Sequence, residues 1–112
     1  MPATTIQPSA APLEITLLER HRFSTQTFLP LSAEEYLVIV APPDGDGTPD
    51  LSQVRAFKVP GDAAITYAAG IWHHPMIALR KEGRFAVFMW RDGGPDDEEF
   101  MELKNPFLIY GN

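Results

Sequence analysis

Hydrophobic and polar residues alternate along much of this chain, in short runs that are separated by turn-forming residues. Residues 13–18 (LEITLL) alternate with a period of two, which predicts a β-strand, and residues 23–30 and 54–59 also predict strands. Residues 36–40 (YLVIV) form the most β-branched run, and this composition predicts a central strand. Residues 84–91 predict the most aromatic strand of the chain.

The segments between these runs are rich in proline, glycine and aspartate. Residues 42–47 (PPDGDG) predict a loop, and Asp50 is a suitable cap for one helical turn over residues 49–53. Residues 81–83 (KEG) predict a tight hairpin into the aromatic strand. About seven or eight short strands, turn signals every 8–12 residues and almost no helical periodicity predict an all-β barrel or sandwich.

The first twelve residues differ from the rest because they are small or polar and include three prolines. Prolines oppose a helix and the segment has little to bury, so we expect a flexible leader over residues 1–12. It has no cationic start and no apolar core, and is therefore not predicted to be a signal peptide. A chain of 112 residues that is 45% hydrophobic supports a single domain, which we assign to residues 13–112.

The charge balance argues against some classes of binding partner for this domain. The formal net charge is −6 and the sequence pI is about 4.9, which argues against a nucleic acid or an anionic membrane surface. No apolar run approaches the ~20 residues that span a bilayer. There is no cysteine, so a disulfide framework and a thiolate metal site are excluded. We expect a soluble, cytoplasmic protein.

Residues 65–75 (ITYAAGIWHHP) contain two of the three histidines and are the strongest candidate for a functional site. Side chains alternate between the two faces of a strand, so Trp72 and His74 are predicted to share one face, and Ile71 and His73 the other. Only one of the two histidines can therefore point into a given pocket.

Several segments in the chain together resemble the ureidoglycolate lyase family. They are Glu19-Arg20-His21 with Gln26, Phe28 and Pro30, then residues 36–41, residues 49–51 with residues 55–57, and Tyr67 followed by Trp72-His73-His74-Pro75. Trp-His-His-Pro after a tyrosine is a fairly specific marker, and the resemblance covers about residues 13–104. It implies a cupin-like double-stranded β-barrel (jelly roll), usually a homodimer, that cleaves ureidoglycolate into glyoxylate and urea. It also implies a divalent metal such as Ni²⁺ as a candidate cofactor.

This reaction needs a base for the hydroxyl proton, an acid for the leaving nitrogen and a group that holds the substrate carboxylate. Histidine suits proton transfer near neutral pH, and arginine binds a carboxylate with two hydrogen bonds. The candidates for catalysis are His73, His74 and Tyr67, with His21 as a third histidine. The candidates for substrate binding are Gln26, Arg20, Arg55, Trp72 and Arg91.

Departures from the family pattern keep other hypotheses open. Family members are longer before the segment that resembles Leu13 onward, and they have a histidine after the central tyrosine where this chain has Ala68 and Ala69. Residues 89–94 (MWRDGG) also alter the family's Asp-Arg-Gly-Gly turn. These changes favour, as the alternative, a divergent non-catalytic cupin that binds a small carboxylic acid or forms an interaction surface. A sugar- or metal-binding cupin with another reaction ranks last, because the usual His-x-His plus Glu pattern is missing.

Each candidate also has a purely structural explanation. Histidines beside a tryptophan at a strand end often serve only as hydrogen-bonded structural residues, and Glu19-Arg20 is a candidate for an exposed ion pair of little weight. A metal site would use His73 or His74, but these neighbours point in opposite directions and a third and a fourth ligand are needed. No metal ligand set is therefore assigned from the sequence.

Overall fold

The computed structural model describes residues 3–90 and 97–110, and for Trp90 it describes the backbone alone. These residues form eleven β-strands and one short 3₁₀ helix, Leu51–Gln53. The strands are β1 (Ala3–Ile6), β2 (Pro8–Ser9), β3 (Leu13–His21), β4 (Thr25–Ser32), β5 (Glu35–Ala41), β6 (Arg55–Pro60), β7 (Ile65–Tyr67), β8 (Trp72–His73), β9 (Ile77–Leu79), β10 (Gly83–Trp90) and β11 (Glu98–Ile109).

The strands form two sheets that face each other. The first has four strands in the order β1-β10-β4-β7. The second has seven strands, six of them in the order β11-β3-β8-β5-β9-β2, while β6 pairs with β5. The predicted all-β, cupin-like fold is confirmed, as a sandwich whose described strand pairs do not close into a barrel. None of the described helices is long and apolar enough to cross a membrane.

An aromatic core fills the space between the sheets. Phe28, Tyr67 and Phe85 from the first sheet pack against Tyr36 and Val38 of β5. The rings of Tyr36 and Phe85 meet edge to face, with their centroids 5.1 Å apart. This inner core supports the site described below, because Tyr67 belongs to both.

The opposite face of the seven-stranded sheet carries a second core. It contains Leu18 of β3, Ile39 of β5 and Trp72 of β8, and side chains of the 3₁₀ helix and of β11 pack against it. Strand β5 is therefore buried on both faces, with Tyr36 and Val38 on one side and Ile39 on the other. The prediction of a central strand over residues 36–40 is confirmed.

Two sequence expectations differ from the structure. Residues 3–9 are not an irregular leader, because β1 pairs with β10 and β2 pairs with β9. Sheet pairing uses backbone N–H and C=O groups, so a small, polar segment can add an edge strand when a partner strand offers free groups. The predicted hairpin around residues 81–83 is wrong, since β9 pairs with β5 and β10 with β4, in different sheets. Residues 105–109 continue β11 after an irregularity in its register.

The capping prediction is confirmed. The Asp50 side chain accepts a hydrogen bond from the backbone N–H of Ser52 at the start of the 3₁₀ helix.

Candidate active site

Strand β8 places His73 at the end of the inner core. Its two residues lie between β3 and β5, where His73 is directly opposite Glu19 on one side and Val40 on the other. Its ring stacks on the ring of Tyr67, with centroids 4.0 Å apart and planes 8° from parallel. Trp72 packs into the second core. The side chains of Trp72 and His73, which are adjacent on β8, therefore lie on opposite faces of the sheet, as predicted.

Three side chains that can bind protons or metal ions meet on this face. Glu19 and His21 are two residues apart on β3 and so point the same way, toward His73. The ligand atoms of the three lie within 4.8 Å of one another. His21 and His73 are almost fully buried, and the Glu19 side chain is 17% exposed. We call these three residues the Glu-His-His cluster.

The hydrogen bonding of His73 determines which of its nitrogens is available. Its Nδ1 lies 3.4 Å from the carbonyl oxygen of Ile71, which can only accept, so Nδ1 carries the proton. In the neutral ring Nε2 then has a free lone pair. Within residues 3–90 and 97–110 this buried atom has no hydrogen-bond partner, although Glu19 Oε1 lies only 3.4 Å away. Two acceptors face each other, an arrangement that is favourable only with a proton or a cation between them.

Other polar atoms near the cluster are also buried and have no hydrogen-bond partner among the residues described. They include Nδ1 of His21, the hydroxyl of Tyr67 and the side-chain carbonyl oxygen of Gln26. Gln26 lies directly opposite Tyr67 in the pairing of β4 with β7. Burial raises the pKa of Tyr67 far above its usual value, with smaller contributions from Tyr36 and Glu19, so the hydroxyl stays neutral and can donate. A bound ligand, an ion or an internal water is the usual partner of such buried polar groups.

The Glu-His-His cluster fits a divalent metal ion. Two imidazoles and one carboxylate are a donor set that suits Zn²⁺, Ni²⁺ and related ions. The unpaired Nε2 of His73 points to such a role, and the contact between its Nδ1 and Ile71 orients the ring as outer hydrogen bonds do in metal sites. Ala68, where the family resemblance implies a histidine, is exposed, and this donor set does not include it. Glu19 and His21 supply the donors beside His73.

His74 lies apart from the cluster. Its backbone N–H donates to the carbonyl oxygen of Ile39, and its Nδ1 lies 2.8 Å from the carbonyl oxygen of Pro75. Burial lowers the pKa of His74 below its usual value, which favours the neutral ring. Of the two adjacent histidines, only His73 joins the buried group of polar side chains.

The arginines considered for carboxylate binding do not meet at this site among the described residues. The guanidinium carbon of Arg20 lies 4.6 Å from the Trp72 ring centroid, and its Nη2 donates to Glu99 at 3.2 Å. Trp72 itself donates from Nε1 to the Gly47 carbonyl oxygen. Arg20 and Trp72 therefore belong to the opposite face of the sheet. Arg55 is exposed on β6.

Arg91, a candidate for substrate binding, and residues 91–94 of the altered turn lie outside the described residues, so both expectations stay predictions.

Glu19 was not predicted from the sequence as a member of the site, and His21 was predicted only as a third histidine. A usable signal was present, because Glu19-x-His21 has the spacing of two that puts both side chains on one face of a strand, but the predicted strand ended at residue 18. The signal was incomplete because strand pairing, rather than spacing, brings this face to His73.

Comparison with known proteins gives a consistent assignment. The model of the family described as Ureidoglycolate lyase matches residues 2–109. The chain is 41% identical over 105 residues to "Ureidoglycolate lyase" of Schizosaccharomyces pombe, with 89% of this chain and 55% of the relative covered. It is 42% identical over 104 residues to the Burkholderia mallei protein of that name, with 93% of this chain and 58% of the relative covered.

A third relative, "Ureidoglycolate lyase" of Azotobacter vinelandii, is 40% identical over 100 residues, with 88% of this chain and 59% of the relative covered. The chain thus spans less than two thirds of the length of these curated relatives. A family match over nearly its whole length nevertheless leaves one conclusion, that the chain belongs to the ureidoglycolate lyase family.

Proposed function

We propose that this protein is a ureidoglycolate lyase that releases urea from ureidoglycolate and leaves glyoxylate. The single observation that carries the proposal is the buried Glu-His-His cluster beside Tyr67, in a chain about 40% identical to proteins with that name. It combines proton-transfer groups with unpaired hydrogen-bonding atoms, which is what the reaction requires.

The reaction moves one proton and consumes no water. The hydroxyl of the substrate loses its proton, its C–O bond becomes a C=O bond, and the C–N bond breaks with its electron pair on the nitrogen of urea. The nitrogen then takes up a proton, so that the atoms and charges of glyoxylate and urea balance those of ureidoglycolate.

We assign the first proton transfer to Nε2 of His73. This atom has a free lone pair because Nδ1 donates to Ile71. Glu19, 3.4 Å away, stabilises the positive ring that forms when Nε2 takes up the proton. The same ring can then return the proton to the departing nitrogen, so one histidine can serve both steps.

Binding of a divalent metal ion such as Ni²⁺ is the alternative role that we propose for the cluster, supported by the two acceptors that face each other across 3.4 Å. Glu19, His21 and His73 would hold it. When bound, it would supply positive charge to the carboxylate and hydroxyl oxygens of the substrate. One lone pair cannot bind a metal ion and accept a proton at once, so the metal content of active protein decides between the two roles of His73.

The test is glyoxylate release from racemic ureidoglycolate by purified protein of measured metal content, with and without added divalent ions. We expect turnover well above the spontaneous background, and a loss of about 10²–10⁴-fold in His73→Ala. His74→Ala is the matched control and should stay within a few-fold of the unmodified protein, because His74 lies apart from the cluster.

Glu19→Gln separates the two roles of the cluster. If a metal ion is held, this variant should lose the ion, as measured by elemental analysis, whereas His74→Ala should retain it. No glyoxylate release under any metal condition would reject the lyase. In that case the non-catalytic alternative, a cupin that binds a small carboxylic acid, would be favoured.

A further inference from the structure

Two unpaired atoms beside the Glu-His-His cluster differ in their hydrogen-bonding character. The side-chain carbonyl oxygen of Gln26 can only accept a hydrogen bond, whereas the neutral hydroxyl of Tyr67 can donate one. Both atoms are buried, and neither has a hydrogen-bond partner among the described residues. A buried acceptor and a buried donor left open in this way cost folding free energy, unless a ligand or an internal water satisfies them.

The backbone places these two side chains next to each other. Gln26 and Tyr67 are directly opposite on the neighbouring strands β4 and β7, so their side chains point to the same face. That face is the inner one, because Phe28, two residues after Gln26, packs in the inner core and its ring centroid lies 6.0 Å from that of Tyr67. The Tyr67 ring in turn stacks on His73, which joins the pair to the cluster.

A ureido group matches this pair chemically. Its two N–H groups point to one side, away from its C=O, so a single oxygen can accept from both while a hydroxyl donates to the C=O. A carboxylate is a poorer match, since it has no donor for Gln26 and would leave that oxygen unpaired. The arrangement therefore favours one orientation of a molecule that has a ureido group at one end and a carboxylate at the other.

We propose that Gln26 and Tyr67 recognise the ureido group of the substrate, with the Gln26 oxygen accepting from its N–H groups and the Tyr67 hydroxyl donating to its C=O. The carboxylate and hydroxyl end of the substrate then lies toward the Glu-His-His cluster. This assignment rests on the proposed lyase function, since it divides the substrate of that reaction between the two parts of the site.

The test measures binding, so it does not depend on turnover. N-carbamoylglycine and N-acetylglycine have the same carboxylate, N–H and C=O, but the first ends in NH₂ where the second ends in CH₃. Neither has the hydroxyl that the reaction needs. Isothermal titration of the full chain should show that N-carbamoylglycine binds about tenfold tighter or more, because the methyl group cannot donate to Gln26.

The two residues should respond differently to substitution. Gln26→Met keeps the length of the side chain but removes the acceptor, and the preference for N-carbamoylglycine should fall to about twofold or less. Tyr67→Phe should weaken both ligands by a similar factor, about five- to tenfold, because both retain the C=O. Gln53→Met changes an exposed glutamine of the 3₁₀ helix and should leave the affinities and their ratio unchanged.

The outcomes separate this inference from the proposed reaction. A folded Gln26→Met variant that keeps the full preference would overturn the inference, as would an unmodified protein that binds both ligands equally. If Gln26→Met does not fold, a Tyr67→Phe effect on N-carbamoylglycine alone, or on neither ligand, would overturn it instead. A preference that depends on Gln26 in a protein that releases no glyoxylate would support ureido recognition and reject the lyase.

Discussion

The two buried tyrosines of the inner core lead to opposite predictions for the same substitution. The Tyr36 hydroxyl donates to the carbonyl oxygen of Ala63, whereas the Tyr67 hydroxyl has no hydrogen-bond partner in the part of the chain that the structure describes. Replacing either by phenylalanine keeps the ring and its packing and removes only the oxygen. Tyr36→Phe therefore breaks a hydrogen bond, while Tyr67→Phe removes a buried polar group that has none.

The expected magnitudes follow from this difference. Tyr36→Phe should lower the free energy of unfolding by about 1–2 kcal/mol, because it loses the bond and leaves the Ala63 oxygen without this donor. Tyr67→Phe should leave the free energy of unfolding unchanged or raise it by about 1 kcal/mol, because the unpaired hydroxyl is desolvated without compensation. Tyr110→Phe, at a 66% exposed residue, is the control and should change it by less than about 0.5 kcal/mol.

Urea unfolding at neutral pH in the absence of ligand measures all three variants. A loss of about 1 kcal/mol or more in Tyr67→Phe would refute the reasoning, because it would mean that the hydroxyl is satisfied in the free protein, for example by an internal water. The same variant with unchanged or increased stability but weakened ligand binding would identify the Tyr67 hydroxyl as a group kept for function at the expense of stability.

The pH dependence provides an independent check on Tyr67. Burial, with smaller effects of Tyr36 and Glu19, raises the pKa of Tyr67 above the usual value of 10.0. The folded state thus keeps its proton where the unfolded chain loses it, so stability is fully present below pH 10 and falls as the pH rises above it. Tyr67→Phe removes this contribution, and its unfolding free energy should therefore fall less steeply between about pH 10 and 11 than that of the unmodified protein.

Two further predictions test the frame around the site. A Cβ at Gly61 would lie 1.8 Å from the Ala33 carbonyl oxygen, so Gly61→Ala should lower the free energy of unfolding in urea by about 2–4 kcal/mol. A Cβ at Gly45 would have nothing within 4 Å, so Gly45→Ala should change this free energy by less than about 0.5 kcal/mol. Arg20→Met should lower the free energy of unfolding by about 1–2 kcal/mol, since it loses the stack on Trp72 and the ion pair with Glu99, whereas Arg55→Met should leave it almost unchanged. Neither substitution should change the affinity for N-carbamoylglycine. A loss of affinity in Arg20→Met but not in Arg55→Met would contradict the placement of Arg20 on the opposite face of the sheet.

Local patterns were sufficient for much of the fold. Strand β5 was predicted because five consecutive apolar residues of β propensity can only be accommodated where both faces are covered. The Asp50 cap was predicted because a carboxylate that accepts a backbone N–H is a local interaction. The edge strands β1 and β2 were missed for the opposite reason. Their pairing depends on free backbone groups of β10 and β9, which are distant in sequence and leave no mark on residues 3–9.

The site shows the same division between local and distant information. Alternation along β8 correctly separated Trp72 from His73, because that rule needs no partner strand. The rule alone could not show that the face of His73 is the one that Glu19 shares, since a shift of one residue in the pairing of β3 with β8 would instead place Arg20 opposite His73.

That one-residue difference changes the chemistry that the site can perform. With Arg20 on the inner face, the cluster would hold a cation suited to the substrate carboxylate, as the sequence analysis expected. With Glu19 there, the described residues of the cluster supply a carboxylate and two imidazoles, and the positive charge needed by the proposed anionic substrate must come from a protonated histidine or a metal ion. The register of a two-residue strand thus determines whether the cluster binds the substrate carboxylate directly or needs a proton or a metal ion to do so.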